Sequence, residues 1–356
     1  MSQRTALDGR AIVWCDGAFN TPEGKTAHGL VRFTERYDVL SVIDRRYAGQ
    51  DAGLVLDGAA NGIPIVEDLR AALAEAEWRT LGPTHLVIGM APDGGRLPDT
   101  GRATVRRAIE AGLDVDSGLH DFLTADPLMV ALAEQNEVVL RDVRRPPSRS
   151  TLHHFTGRIE QVRSRRVALL GTDSAVGKRT TAWLLVHALQ AAGRTAELIG
   201  TGQTAWMQGA RYSIVLDSLV NDFVAGELEN AVLRAWDEQR PDFIVIEGQG
   251  SLMNPAYPGG LEILAACRPD VIVLQHAPTR LEYDGFPGHT LHPIEHQIAA
   301  LELVGGRPVV AIALNHEGLA GDQIEGACQE LRERTGLVVC DPLVHGVADL
   351  IQAIGS

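Results

Sequence analysis

Gly171-Thr172-Asp173-Ser174-Ala175-Val176-Gly177-Lys178-Arg179-Thr180-Thr181 follows the apolar run Val167 to Leu170 and opens a helical pattern that extends from about Lys178 to Ala192. A glycine-bearing turn between a strand and a helix is the setting a P-loop requires. Successive backbone N–H groups curl around an anion there, the helix N-terminus adds a favourable field, and the Lys178 ammonium reaches the phosphate oxygens. The whole stretch from Gly171 to Thr181 therefore reads as a phosphate cradle. It departs from the commonest pattern twice: one extra residue separates Gly171 from Gly177, and Arg179 stands directly after the lysine. A hydroxyl at that second position normally holds Mg²⁺ between phosphates. Arginine neutralises charge but ligates no metal, and Thr180 and Thr181 lie outside the usual register.

Outward from the loop, Ala196 to Ile199, Phe243 to Ile246, Val271 to Leu274 and Pro308 to Leu314 read as further strands of the same α/β domain. The N-terminal third repeats the alternation, with strands expected at Ala11–Cys15, Val39–Ile43, Ile63–Val66, His85–Ile88, Leu113–Val115 and Val138–Leu140. Amphipathic stretches at Asp68–Trp78 and Thr100–Ala111 separate them, which implies a second parallel, doubly wound sheet. The pattern breaks at Val143 to Ser150, where Pro146 and Pro147 cannot donate ladder hydrogen bonds. The expected organisation is a first domain over 1–145, a linker over 146–163 and a second domain over 164–356. Arg141, Arg144, Arg145, His153 and His154 read as a solvated basic patch around that linker.

Composition narrows the function classes. A chain of 356 residues, 45% apolar and 22% charged, has the make-up of a soluble globular protein with two cores, which disfavours disorder, collagen and coiled coil. The net charge of −14 repels nucleic-acid backbones and anionic membrane surfaces, so neither is expected as a partner and any phosphate must be held locally. Cys15, Cys267, Cys328 and Cys340 show no C-x-x-C spacing and read as reduced, buried thiols. The first ten residues hold no apolar signal region and no apolar run approaches a membrane span, so a cytoplasmic location is expected.

Candidate chemistry clusters where strands of the second domain end. FIVIEGQG, Phe243 to Gly250, brings Glu247 to a strand's carboxyl end between glycines that permit close backbone approach. Glu247 can bind a metal, act as general base or orient a substrate. His276 ends another strand of the same sheet. Gly202, Gln203 and Thr204 form a polar loop after a strand. Asp217 and Asn221, four apart, with Asp222 following, would line one rim of a cleft if helical, whereas Glu227 and Glu229 read as exposed solubilising acids. His292-Pro293-Ile294-Glu295-His296 has the spacing of a zinc motif, but Pro293 favours a helix's first turn and leaves His292 misaligned, so no metal site is expected there. Asp44 closes the second strand, yet the first turn, Asp16 to Asn20, carries no G-x-G-x-x-G, which argues against a bound dinucleotide.

Lys25-Thr26-Ala27, Ser117-Gly118-Leu119-His120, GTDSAVGK from Gly171, TGQT from Thr201, DFVAGE from Asp222, EGQGSL from Glu247 and Asp341-Pro342 span nearly the whole chain. Together they resemble the D-glutamate N-acetyltransferase-like family, formerly catalogued as a domain of unknown function. The resemblance implies a Rossmann-like N-terminal domain and a C-terminal P-loop NTPase-like domain similar to dethiobiotin synthetase. It further implies acetyl-CoA-dependent acetylation of the amine of an acidic amino acid, in a homo-oligomer. Metal-independent binding of coenzyme A phosphates suits the loop, with Arg179 supplying charge. Glu247 or His276 would be the base, Gln249 or loop N–H groups the oxyanion donors, and Gly202, Gln203, Thr204, Asp217 and Asp222 would contact an amino-acid-like substrate. The rival is an ATP-dependent, carboxylate-activating ligase, with Mg²⁺ on Glu247, Asp217 and Thr180. A third reading is a nucleotide- or CoA-sensing regulator.

Overall fold

The computed structural model describes residues 7–78 and 82–355. It divides into two compact units, one running up to Pro146 and taking in Gln203–Ala210, the other comprising Pro147–Gly202 and the chain from Arg211 onward.

The first unit is built on strands β1 (Gly9–Trp14), β2 (Tyr37–Ile43), β3 (Ile65–Val66), β4 (His85–Ile88), β5 (Asp114–Ser117) and β6 (Leu140–Asp142). Their order is β3-β2-β1-β4-β5-β6, every neighbouring pair parallel, which is the doubly wound arrangement. Ala11 to Trp14 are buried without alternation, as a central parallel strand covered on both faces is. Of the basic residues read as a solvated patch, Arg145, His153 and His154 are exposed, whereas Arg144 is not and Arg141 is only partly so. Arg141 pairs with buried Asp116 at 3.0 Å, Arg144 is buried and donates to the Gly118 carbonyl at 2.6 Å, and Arg145 donates to Thr124 Oγ1 at 2.8 Å.

One piece of this unit arrives from far along the chain. Residues Gln203–Ala210 form the short helix Gln203–Met207 and a turn, and their side chains are spent on the first unit. Thr204 Oγ1 lies 2.9 Å from Thr26 Oγ1, Gln208 donates to the carbonyls of Gly29 and Phe33 at 2.9 Å each, and the Arg36 guanidinium sits 3.8 Å over the Trp206 ring. Met207 is wholly buried in the first core.

The second unit contains β7 (Arg165–Gly171), β8 (Ala196–Gly200), β9 (Tyr212–Ser213), β10 (Phe243–Glu247), β11 (Val271–His276), β12 (Val309–Leu314) and β13 (Val338–Cys340). The order is β13-β12-β11-β7-β10-β8-β9, again parallel throughout, with β7 central. The stretch expected as a linker belongs to this unit: Ile159 and Val162 lie in its core. Two acids expected in solvent hold it there. Glu229, 1% exposed, accepts from Thr156 N at 2.6 Å, Thr156 Oγ1 at 2.8 Å and Ile159 N at 3.0 Å, and Glu227 accepts from His153 N at 2.6 Å. A buried carboxylate is tolerable only with such donors. Gly226, just before them, is required, since a Cβ there would meet the His153 carbonyl oxygen at 2.0 Å.

Candidate functional site

β7 delivers the chain into the loop at Gly171, and helix Lys178–Ala191 begins immediately after Gly177. Gly177 has φ +103°, which an L side chain rarely adopts, and a Cβ on Gly171 would press within 3.0 Å of Lys178 Cδ and Nζ. These two glycines let the loop curl over the lysine. The N–H groups of Ala175, Val176 and Gly177 donate to no protein acceptor among the described residues. Three consecutive uncommitted donors at a helix N-terminus are the electrostatic requirement for an anion. Lys178 is buried, its ammonium donating to the carbonyls of Asp173 at 2.7 Å and Gly250 at 2.8 Å, so it is anchored between the loop and the segment after β10.

The loop's outer side is braced by residues whose part the sequence did not disclose. Asp173 is completely buried and accepts from Ser174 N (2.8 Å), Asn254 Nδ2 (2.7 Å), Asp284 N (2.9 Å) and the Arg280 guanidinium (3.1 Å). Arg280 also donates to the Ser174 carbonyl at 2.7 Å and pairs with Glu317 at 2.8 Å. Asn315 at the end of β12 donates to the Val176 carbonyl at 2.9 Å. Thr181 Oγ1 donates to Gln275 at 2.6 Å, while Thr172 Oγ1 lies 3.0 Å from His276 Nδ1. Both of those hydroxyls therefore serve the frame of the loop.

Glu247 ends β10 beside the loop and is buried. Burial pushes its carboxyl above the usual range, against the pull of Arg179, of Lys178 and of the hydrogen bonds from Thr201. Thr201 N donates to Glu247 Oε2 at 2.9 Å, Thr201 Oγ1 donates to the Glu247 carbonyl at 3.0 Å, and Gln249 Nε2 donates to Thr201 Oγ1 at 3.1 Å. Thr201 thus joins Glu247 to Gln249, a role visible in the sequence only as the first letter of TGQT. The flanking glycines are close-approach positions: a Cβ on Gly248 would lie 2.4 Å from the Leu169 carbonyl oxygen, and one on Gly202 would lie 2.8 Å from Gln249 Nε2.

The remaining candidates are dispersed. Gln275 and His276 are consecutive on β11, so their side chains leave opposite faces of the sheet, and Gln275 takes the face of helix Lys178–Ala191. His276 lines a cavity of about 160 Å³ with residues that include Arg280, His292, Ile294 and Arg334, and burial, helped by Arg334, pushes its imidazole down to about 4. Gln203 and Thr204 are buried parts of the first unit, whereas Gly202 remains in the second. Asp217 is exposed on the turn Leu216–Ser218, and Asp222 is exposed in the first turn of the separate helix Asn221–Gln239, so the two share no helical face. Pro293 caps helix Ile294–Gly305 from outside, leaving His292 before the helix, 2.7 Å from the Tyr283 hydroxyl. Asp44 is fully buried and accepts from Phe19 N at 2.8 Å. All four cysteines are buried, and no helix among the described residues is long and apolar enough to cross a membrane.

Residues 153–351 match the family model described as domain of unknown function DUF1611_C, P-loop domain, and residues 45–146 match DUF1611_N, Rossmann-like domain. The chain belongs to the DUF1611 family. Two curated proteins of similar sequence are each named D-glutamate N-acetyltransferase. The one from Tritonibacter scottomollicae is 31% identical over 286 residues, 79% of this chain and 84% of its own length. The one from a Pseudoalteromonas species is 31% identical over 282 residues, 77% of this chain and 82% of its own length. The crystal structure of a DUF1611 family protein from Anabaena variabilis superposes with a TM-score of 0.89 at 31% identity, covering 98% of this chain and 99% of that one.

Proposed function

We propose that this DUF1611 protein is an N-acetyltransferase that moves the acetyl group of acetyl-CoA to the amine of an acidic amino acid of the D-glutamate class. The observation that carries the reading is the loop itself: three uncommitted N–H groups beside a buried lysine, with Arg179 where a metal-holding hydroxyl usually stands. Such a cradle suits a pyrophosphate held by hydrogen bonds and cations. The names of the two curated relatives support the same reaction.

Acyl transfer then needs a base and little else from the protein. The substrate ammonium gives a proton to Glu247, whose raised carboxyl makes it a better acceptor than a solvated glutamate. The freed amine forms a C–N bond at the thioester carbonyl, the C–S bond breaks, and the thiolate takes up the second proton lost by the nitrogen while Glu247 passes the first to solvent, leaving the amide and free coenzyme A. Gln249, tethered through Thr201, is the side-chain donor nearest in sequence to Glu247 for the transient oxyanion.

Calorimetric titration with acetyl-CoA, and separately with ATP, each with and without Mg²⁺, tests the first half. Acetyl-CoA should bind without metal, and Lys178→Ala should weaken it by about 100-fold through loss of charge-assisted bonds. Release of coenzyme A in the presence of D-glutamate tests the second half: Glu247→Gln should keep acetyl-CoA affinity and lower kcat by at least about 100-fold. Mg²⁺-dependent ATP binding with no acetyl-CoA signal would sink the reading and favour a carboxylate-activating ligase.

A further inference from the structure

The first unit holds a cavity of about 540 Å³ that none of the roles above uses, lined by Gly94, Arg96, Leu97, Arg102, His120 and Asp121. Its walls come from the segments that follow β4 and β5 and from helix Asp99–Glu110, which places it at the carboxyl ends of two neighbouring parallel strands. Ligands of open α/β sheets bind at such ends, and the volume is that of a small-molecule site.

The polar groups of the lining carry both signs of charge. Arg102 is fixed, donating to Asp121 Oδ2 at 2.5 Å and to Asp126 at 3.5 Å. That bond occupies only one side of Asp121, and its Oδ1 accepts no hydrogen bond among the described residues. Arg96, also on the lining, makes no hydrogen bond or ion pair among them. The wall is shaped tightly around His120: Gly95 has φ +59°, and a Cβ there would lie 2.4 Å from His120 Cδ2.

We propose that this cavity binds a small zwitterionic amino acid, with its carboxylate on Arg96 and its ammonium on Asp121 Oδ1. A dicarboxylate without an amine would leave Asp121 facing like charge, and a simple amine would leave Arg96 unmatched, so the zwitterion is the species that matches both groups. The inference stands on this cavity's own geometry and takes from the proposed function only glutamate as a probe.

Calorimetry on the full chain without acetyl-CoA tests it, using D-glutamate, L-glutamate and glutarate, which lacks the amine. At least one glutamate enantiomer should bind wild type and Lys178→Ala alike, bind Arg96→Ala at least tenfold more weakly, and outcompete glutarate at least tenfold. Arg96 is exposed, so its removal should leave the circular dichroism melt unchanged. Unaltered binding in Arg96→Ala, equal binding of glutarate, loss of glutamate binding in Lys178→Ala, or no glutamate binding at millimolar concentration would each overturn the site. Absence of acetyl-CoA binding in wild type would count against the acetyltransferase reading alone.

Discussion

The turn that follows β1 and the turn that follows β7 occupy equivalent places, each leaving a central strand of a doubly wound sheet, and they do opposite things with their backbone. After β1, Ala18 N and Phe19 N both reach the Cys15 carbonyl, at 2.9 and 3.2 Å, Phe19 N also meets Asp44 Oδ2, and the Phe19 ring is wholly buried. After β7 the chain keeps its middle N–H groups uncommitted and turns its carboxylate, Asp173, away to hold neighbouring loops. On the proposed reading, a strand-to-helix turn becomes a binding site when its bracing comes from outside. It becomes core when its own residues fill it.

The sharpest way to break this comparison is to remove the two carboxylates in parallel. Asp173→Ala strips a buried charge from the Arg280 guanidinium and from Asn254, and should cost about 3–5 kcal/mol of unfolding free energy in denaturant titration. It should also reduce acetyl-CoA affinity, because the Ser174 and Ala175 carbonyls lose the arginine's correct placement. Asp44→Ala should be comparably damaging, since Arg46 and Phe19 N lose their buried partner, yet leave acetyl-CoA affinity in the folded fraction unchanged. If both variants bind acetyl-CoA equally poorly, the two turns are not functionally distinct.

Legibility in the sequence follows the same division. The phosphate loop was readable because its constraints are local: Gly177 needs a positive φ, Gly171 has no room for a Cβ, and the strand and helix abut them. Glu247 was readable for the same reason, lying at a strand end between glycines. Its partner Thr201 and the brace of Asn254, Arg280 and Asn315 were not, because bracing is a matter of which loops meet, and no spacing encodes it. The strand positions were largely foreseen, but β9 and β13 are two and three residues long and give no periodic signal. Least legible was Gln203–Ala210, whose residues belong to the first unit, Gln208 bonding to Gly29 across a sequence separation of 179. Glu227 and Glu229 failed similarly. Acids on a helix resemble a solvent face until a neighbouring backbone presents N–H groups to them.

Acid separates the loop's frame from the rest by a somewhat smaller effect. His276, beside the Thr172 hydroxyl, titrates at about 4 in the folded chain against 6.5 for a free imidazole. The folded state therefore favours the neutral ring, and stability is lost as pH falls from 6.5 towards 4. The loss should approach about 3 kcal/mol once the ring would be protonated in the unfolded chain but not in the folded one. The difference in unfolding free energy between pH 7 and pH 4 should shrink by that amount in His276→Asn. An unchanged difference would mean that the ring is solvated.

The smallest effect distinguishes a carboxyl kept for chemistry from one kept for structure. Glu247 and Asp116 are both buried and both pushed above the usual carboxylate range by burial. A carboxyl raised on folding opposes folding once ionised, a penalty absent well below pH 4.5 and complete above the folded value. Glu247→Gln should thus raise Tm at pH 7 by a few degrees at most, the gap closing in acid. Asp116 accepts from the buried Tyr37 hydroxyl and pairs with Arg141, so Asp116→Asn should lower stability by about 1 kcal/mol despite removing a similarly raised group. Opposite signs mean that Glu247 is held at a cost to stability, as a base waiting for a substrate proton would be. If Glu247→Gln destabilises at pH 7 as Asp116→Asn does, Glu247 is structural, and the base must be sought elsewhere in the chain.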